Sequence, residues 1–157
     1  MMQFERKWTL FIKLNNDAWE KEKFKYIYKI TNVKEMWQVL NNIPTGLAGC
    51  SNIFFMEDNL LPLWEDNKQV WERGGCWSTI IKGIEWKKTM NEICMLIMGE
   101  CIFDMDNIKG ICIVPVTTTH CIVKLWATDK SDKNCELLKN NLSELQCCMP
   151  RFKAFVA

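Results

Sequence analysis

An excess of charge of either sign is missing from this chain. Its 20 Lys and Arg residues stand against 19 Asp and Glu, a formal net charge of +1 over 157 residues. No broad basic surface exists to hold nucleic acid through its phosphates alone. No window approaches the roughly 20 apolar residues of a membrane-spanning helix. The N-terminal MMQFERKWTLFIKL lacks a long apolar run with a cleavage site behind it, so it does not read as a signal peptide. Histidine is reduced to His120. With Cys121 next to it on an alternating strand, the two side chains point apart, so no nucleophile and base pair is visible and no catalytic residue is assigned. A Cys-x-x-Cys pair is also absent, although nine cysteines are present. They are odd in number and scattered, and Cys147 and Cys148 stand too close together for a usual chelating pair. They read as reduced thiols of a cytoplasmic protein that needs neither metal nor cofactor.

What is present describes one globular domain over residues 1–157, 48% hydrophobic and 25% charged, long enough to bury a core of its own. Residues 8–14 alternate Trp8, Leu10, Ile12 and Leu14 against Thr9, Phe11 and Lys13, the period of a strand. FKYIYKI at 24–30 does the same with Phe24, Tyr26, Tyr28 and Ile30. Further strand-like runs are NIFF (52–55), CWSTII (76–81), ICIVPV (111–116), HCIVKLW (120–126) and RFKAFV (151–156). Asn32 with Glu35 resembles a capping box, and Val33, Met36, Trp37, Leu40 and Ile43 follow at helical spacing before Pro44. A second helix spans about Trp86 to Met98, with Met90, Ile93, Cys94 and Ile97 along one stripe. A third starts near Ser131 or Asp132, with Cys135, Leu138, Leu142 and Leu145 on its buried face. Strands separated by turns, with helices inserted singly, predict an α+β fold: a mostly antiparallel sheet of about six to eight strands covered on one side by helices. The other face is free to hold a ligand.

Trp19 and Trp64 lie in polar, loop-like surroundings, where core burial does not explain a large aromatic. Trp64 is followed at once by Glu65. One can offer a ring face to a flat ligand while the other meets its edge. A carboxylate accepts two parallel hydrogen bonds, and the edge of guanine presents two adjacent donors. Methylation at the seventh position makes guanine cationic, and indole faces attract cations by about 0.5–2 kcal/mol each. Stacking adds roughly 1–3 kcal/mol per base. Two tryptophans and one glutamate suffice to choose a methylated guanine over an ordinary one.

KWTLF, the loop tryptophan of NNDAW, NVKEMW, LPLWEDN, RGGCW, the helix ending MLIMGE, and KGICIV leading to KLWATD occur here in that order. Together they resemble the eukaryotic translation initiation factor 4E family of mRNA cap-binding proteins. The resemblance implies a curved antiparallel sheet backed on its convex face by three helices, with the cap pocket on the concave side. It implies that Trp19 and Trp64 sandwich 7-methylguanine, that Glu65 holds its edge through carboxylate and backbone N–H, and that Trp126 sits beside the added methyl. Trp8, Trp77 and Trp86 are expected in the core, and Trp71 has no assigned place. A 4G-like scaffold or a 4E-binding repressor would dock a helix on the back, over Val33 and Trp37 and near Asn91 and Glu92. The chain would be a monomer outside that complex.

The sequence departs from the family where the cap's triphosphate should be held. Cys76 stands where the family carries arginine after the paired glycines. Val116 or Thr117, and Cys121 or Ile122, stand at two further cationic places, and Asn91 replaces a usual leucine. Lys124 is the expected substitute, since alternation puts it on the side of Trp126. His120 shares that parity, and Arg151 and Lys153 near the C-terminus are further phosphate candidates. Two other readings stay open: a repressor or decoy with the same fold, and a carbohydrate-binding module, since sugars also stack on tryptophan.

Overall fold

The computed structural model describes residues 2–101, 105–132, 134 and 151–156. Seven strands form one sheet: β1 (Gln3–Leu14), β2 (Lys25–Asn32), β3 (Ser51–Glu57), β4 (Gly75–Lys82), β5 (Ile108–Thr117), β6 (His120–Ala127) and β7 (Arg151–Ala154). Their order is β2-β1-β3-β5-β6-β4-β7, and every neighbouring pair is antiparallel. Among the described residues three α-helices accompany them: α1 (Val33–Asn42), α2 (Lys68–Trp71) and α3 (Trp86–Ile97). This is the curved α+β sheet that the sequence leads one to expect.

Period-two alternation divides the sheet into two apolar layers. Trp8 and Leu10 of β1, Ile53 and Phe55 of β3, Ile111 and Ile113 of β5, and Val123 and Leu125 of β6 face the helices. There they meet Met36 and Leu40 of α1 and Trp86, Met90, Ile93 and Ile97 of α3. Trp8, Trp77 and Trp86 belong to this core, as expected. The opposite face carries Phe11, Phe54, Met56, Cys112 and Trp126, with Phe24 and Trp71 packed on them.

The start of α1 follows from its sequence. Asn32 Oδ1 accepts the Glu35 N–H at 2.9 Å, and Glu35 Oε2 reaches back to the Thr31 N–H at 2.7 Å. The first bond satisfies an N–H that helix geometry would leave unpaired, and the second ties the helix to the residue just ahead of its N-cap. At the other end Ile43 turns extended and Pro44 follows.

Two details differ from the sequence reading. In β2 a register shift opposite Leu10 and Phe11 pairs Leu10 with Tyr28 but Phe11 with Tyr26. Phe24 therefore packs on the Phe54 side while Ile30 faces the helices, so the four residues do not share one face. Trp64 and Glu65 lie on a one-turn 3-10 helix, Trp64–Asn67, that runs into α2, and not on an extended loop. The helix expected from Ser131 or Asp132 lies outside the described residues beyond Asn134. Among the described residues no helix is long and apolar enough to cross a membrane.

Candidate ligand cleft

The cleft lies on the face opposite α1 and α3, and the sheet supplies its floor. Register aligns Gly110, Trp126, Cys76 and Lys153 in one row across β5, β6, β4 and β7, and Cys112, Lys124, Ser78 and Arg151 in the next. Side chains in one row share a face about 5 Å apart from strand to strand. Gly110 leaves room: a Cβ there would stand 2.7 Å from Met56 Sδ and 3.0 Å from Trp126 Cβ. Trp126 can therefore lie down on the sheet, edge-on to Phe54 at 6.3 Å and to Trp71 at 5.5 Å between ring centroids.

Loops supply the walls. The β1–β2 loop carries Trp19, which is 54% exposed although it rests against Phe24 and edge-on to Phe54, at 5.5 and 6.0 Å. Exposure of that much indole beside a built aromatic floor leaves a ring face available to a ligand. The Lys13 ammonium lies over the same ring, 4.8 Å from its centroid, and donates to the Leu14 carbonyl at 2.9 Å. The 3-10 turn presents half-buried Trp64 and exposed Glu65. Glu65 stands in the first turn, so its N–H has no acceptor within the helix.

Trp19, Trp64, Glu65 and Trp126 line one cavity of about 220 Å³, completed by Pro62, Leu63 and Phe155. An adjoining cavity of about 300 Å³ is lined by Trp64, Trp126, Cys76, Ser78, Lys124, Lys153, Ala154 and Phe155. The first is an aromatic slot with a carboxylate at its rim. The second holds two ammonium groups, with Arg151 in the neighbouring row. Among the described residues no carboxylate forms an ion pair with Lys124, Arg151 or Lys153. Burial pushes the Cys76 thiol up, against the lesser pull of its contact with Ser78 and of the Lys124 charge. The thiol therefore stays neutral near pH 7 and leaves Lys124 uncompensated.

Not every expected residue reaches this cleft. His120 shares the face of Lys124 and Trp126 but sits opposite Lys82 at the far end of β6, about 20 Å from Trp126 at the usual rise per residue. Val33 and Trp37 are half-buried one turn apart on α1, on the opposite side of the sheet, packed against its core. Asn91 and Glu92 lie on α3, also half-buried, and the Asn91 Oδ1 is buried without a hydrogen-bond partner. Two cleft residues escaped the sequence reading. Trp71, fully buried, backs Trp126 and Phe155, and its spacing within WEDNKQVW gave no face to assign. Phe155 lies just past β7, a short strand whose partner no local pattern reveals.

A sheet open on one face, with an aromatic slot beside a cationic one, has the chemistry to stack a flat ring and to attract anionic groups beside it. Residues 3–152 match the model of the family described as eukaryotic initiation factor 4E, and the chain belongs to that family. It is 26% identical over 145 residues to eukaryotic translation initiation factor 4E-1 of Lactuca sativa, covering 85% of this chain and 58% of the relative. The chain thus spans under two thirds of that relative's length. Solved structures share the fold. The complex of Ascaris suum eIF4E-3 with the m2,2,7G cap superposes with a TM-score of 0.79 at 21% identity, over 98% of this chain and 91% of that one. The complex of C. elegans eIF4E-3 with the 4E-binding protein Mextli and cap analog gives 0.78 at 24%, over 97% and 91%.

Proposed function

We propose that this chain binds the 7-methylguanosine 5′ cap of mRNA and acts in translation initiation in the cytoplasm, as a binding module without catalysis. The observation that carries the reading is the shared cavity of Trp19, Trp64, Glu65 and Trp126. A cationic purine between indoles gains both stacking and cation–π attraction, and a carboxylate at its edge takes the two guanine donors. Trp126, on the cavity floor, contacts the methyl group.

The triphosphate runs into the adjoining cavity. Lys124 and Lys153 hold it, with Arg151 beside them, in place of the cations that Cys76 and its neighbours do not supply. His120 is too far along β6 for the phosphates nearest the base. On the helix side, Val33, Trp37, Asn91 and Glu92 receive the helix of a 4G-like scaffold or a 4E-binding repressor. The complex of a C. elegans relative with Mextli supports a partner of that kind. Whether that partnership activates or represses translation, the cleft chemistry is the same.

Retention on immobilised 7-methyl-GTP tests the proposal. Elution by free 7-methyl-GTP, and not by GTP or by oligosaccharides, is the expected result. Elution by a sugar would transfer the cleft to carbohydrate recognition.

A further inference from the structure

The cap-site reading leaves Phe155 unexplained, together with the paired glycines at the start of β4, Gly74 and Gly75. Phe155 lines both cavities of the cleft, and Trp64 and Trp126 are the other two residues common to them. Its ring lies within 11° of parallel to that of Trp64, with centroids 6.5 Å apart. It also touches Trp126 at 4.8 Å and meets Trp71 edge-on at 5.5 Å. Backbone contacts fix it there: the Phe155 N–H donates to the Gly74 carbonyl at 3.1 Å, and Ala154 pairs with Gly75 in the β7–β4 ladder. A side chain on Gly75 would collide with the Lys153 backbone, so the glycine is what lets β7 approach closely enough.

Among the described residues, Phe155 is the one aromatic ring in contact with that of Trp64. Trp64 begins the 3-10 turn that runs into the four-residue α2, and the N-cap, Leu63, offers no side-chain hydrogen bond. So short a helical segment is weak on its own. The parallel face of Phe155, itself set against the buried pair Trp71 and Trp126, supports the Trp64 ring.

We propose that Phe155 is a positioning residue that orients the Trp64 indole for stacking, so that the last strand of the chain is part of the ligand cleft. This rests on the cap-site reading for its ligand, though not for the contact itself. Preorganised aromatic walls avoid an ordering cost on binding. Removing one aromatic partner corresponds to roughly a 2- to 10-fold change in affinity.

The test uses the full chain labelled with 5-fluorotryptophan, with the Trp64 resonance assigned by its loss in Trp64→Phe. Phe155→Ala is expected to shift or broaden that resonance while those of Trp8 and Trp86, on the helix side, stay put and report an intact fold. Phe155→Tyr restores it, whereas Phe155→Leu, with bulk but no ring, does not. Binding of 7-methyl-GTP weakens roughly 2- to 10-fold in the Ala and Leu variants and recovers in the Tyr variant. An unmoved Trp64 resonance in Phe155→Ala overturns the proposal. So does equal or tighter binding in that variant, which would make Phe155 a plug in the cleft. If the parent chain binds no 7-methyl-GTP, the function proposed above fails, and the fluorine spectra alone still decide whether Phe155 orients Trp64.

Discussion

Gly75 lies so close beneath β7 that a Cβ on it would run into the Lys153 carbonyl and stand 2.6 Å from the Phe152 ring. Backbone oxygen cannot swing aside as a side-chain tip can, so the strand itself would have to move. Gly75→Ala is therefore expected to loosen β7, which carries Arg151, Lys153 and, just past its end, Phe155. Overpacking of this kind costs about 1–3 kcal/mol. A thermal melt lowered by about 2–12 °C, together with weaker 7-methyl-GTP binding, is the expected outcome. An unchanged melt and unchanged affinity would show that β7 tolerates the displacement without consequence for the cleft.

The cationic half of the cleft makes a separate prediction. Lys124→Ala and Lys153→Ala should weaken 7-methyl-GTP binding, with a much smaller effect on 7-methylguanosine, which has no phosphates. Cys76→Arg adds a cation to the same cavity and should tighten triphosphate binding and steepen its salt dependence. Titrations at two salt concentrations check both. Equal losses for nucleoside and nucleotide would remove the phosphates from this cavity.

On α3, the Asn91 Oδ1 is a buried acceptor without a partner. Such an atom costs about 1–3 kcal/mol relative to a satisfied one. Asn91→Leu should raise the melting temperature by a few degrees, on the order of 1 kcal/mol. If the docking surface reaches Asn91, the variant should also bind a 4G-like helical peptide more tightly. Calorimetry of the protein with and without peptide separates the two effects, and a destabilised variant would mean that the carbonyl is satisfied in solution.

Buried thiols set a stability limit at high pH. Burial pushes Cys76, Cys94 and Cys112 above a thiol's ordinary value of 9.0. Folding thus favours the protonated form. Below pH 9 both states hold the proton and the contribution is complete. Above it the unfolded chain loses protons that the folded chain keeps, and stability falls with rising pH until the folded thiols also titrate. Melting temperature should decline above about pH 9, and Cys94→Ala should flatten that decline even if it lowers stability at neutral pH. A decline of equal slope in the variant would assign it to other groups.

The seven strands and the helices α1 and α3 were legible because their signals are local. Alternation marked β1, a capping pair opened α1, and a 3.6-residue stripe marked α3. The face of β2 was not legible, since the register shift opposite Leu10 and Phe11 depends on the partner strand. Trp64 and Glu65 stood out as aromatic and acid in polar surroundings, and both line the cavity with Trp19 and Trp126. Phe155 and Trp71 did not stand out, because what gives each a place in the cleft is contact between residues far apart in the chain. Lys153 was named from the sequence as a phosphate candidate, but its place was not legible: strand pairing with Cys76, more than 70 positions away in the sequence, brings it beside Trp126 and Lys124.

The central claim is that Trp64 gives a face, and Glu65 an edge, to a cationic guanine. Tryptophan fluorescence titration with 7-methyl-GTP and GTP, on the parent chain and on Trp64→Ala and Glu65→Ala, tests it most directly. The account predicts a strong preference for the methylated nucleotide that both variants lose, each by roughly 10-fold or more, as expected for a removed stacking or charged hydrogen-bonding partner. Equal affinity of the parent for both nucleotides, or a preference that survives either substitution, would contradict it.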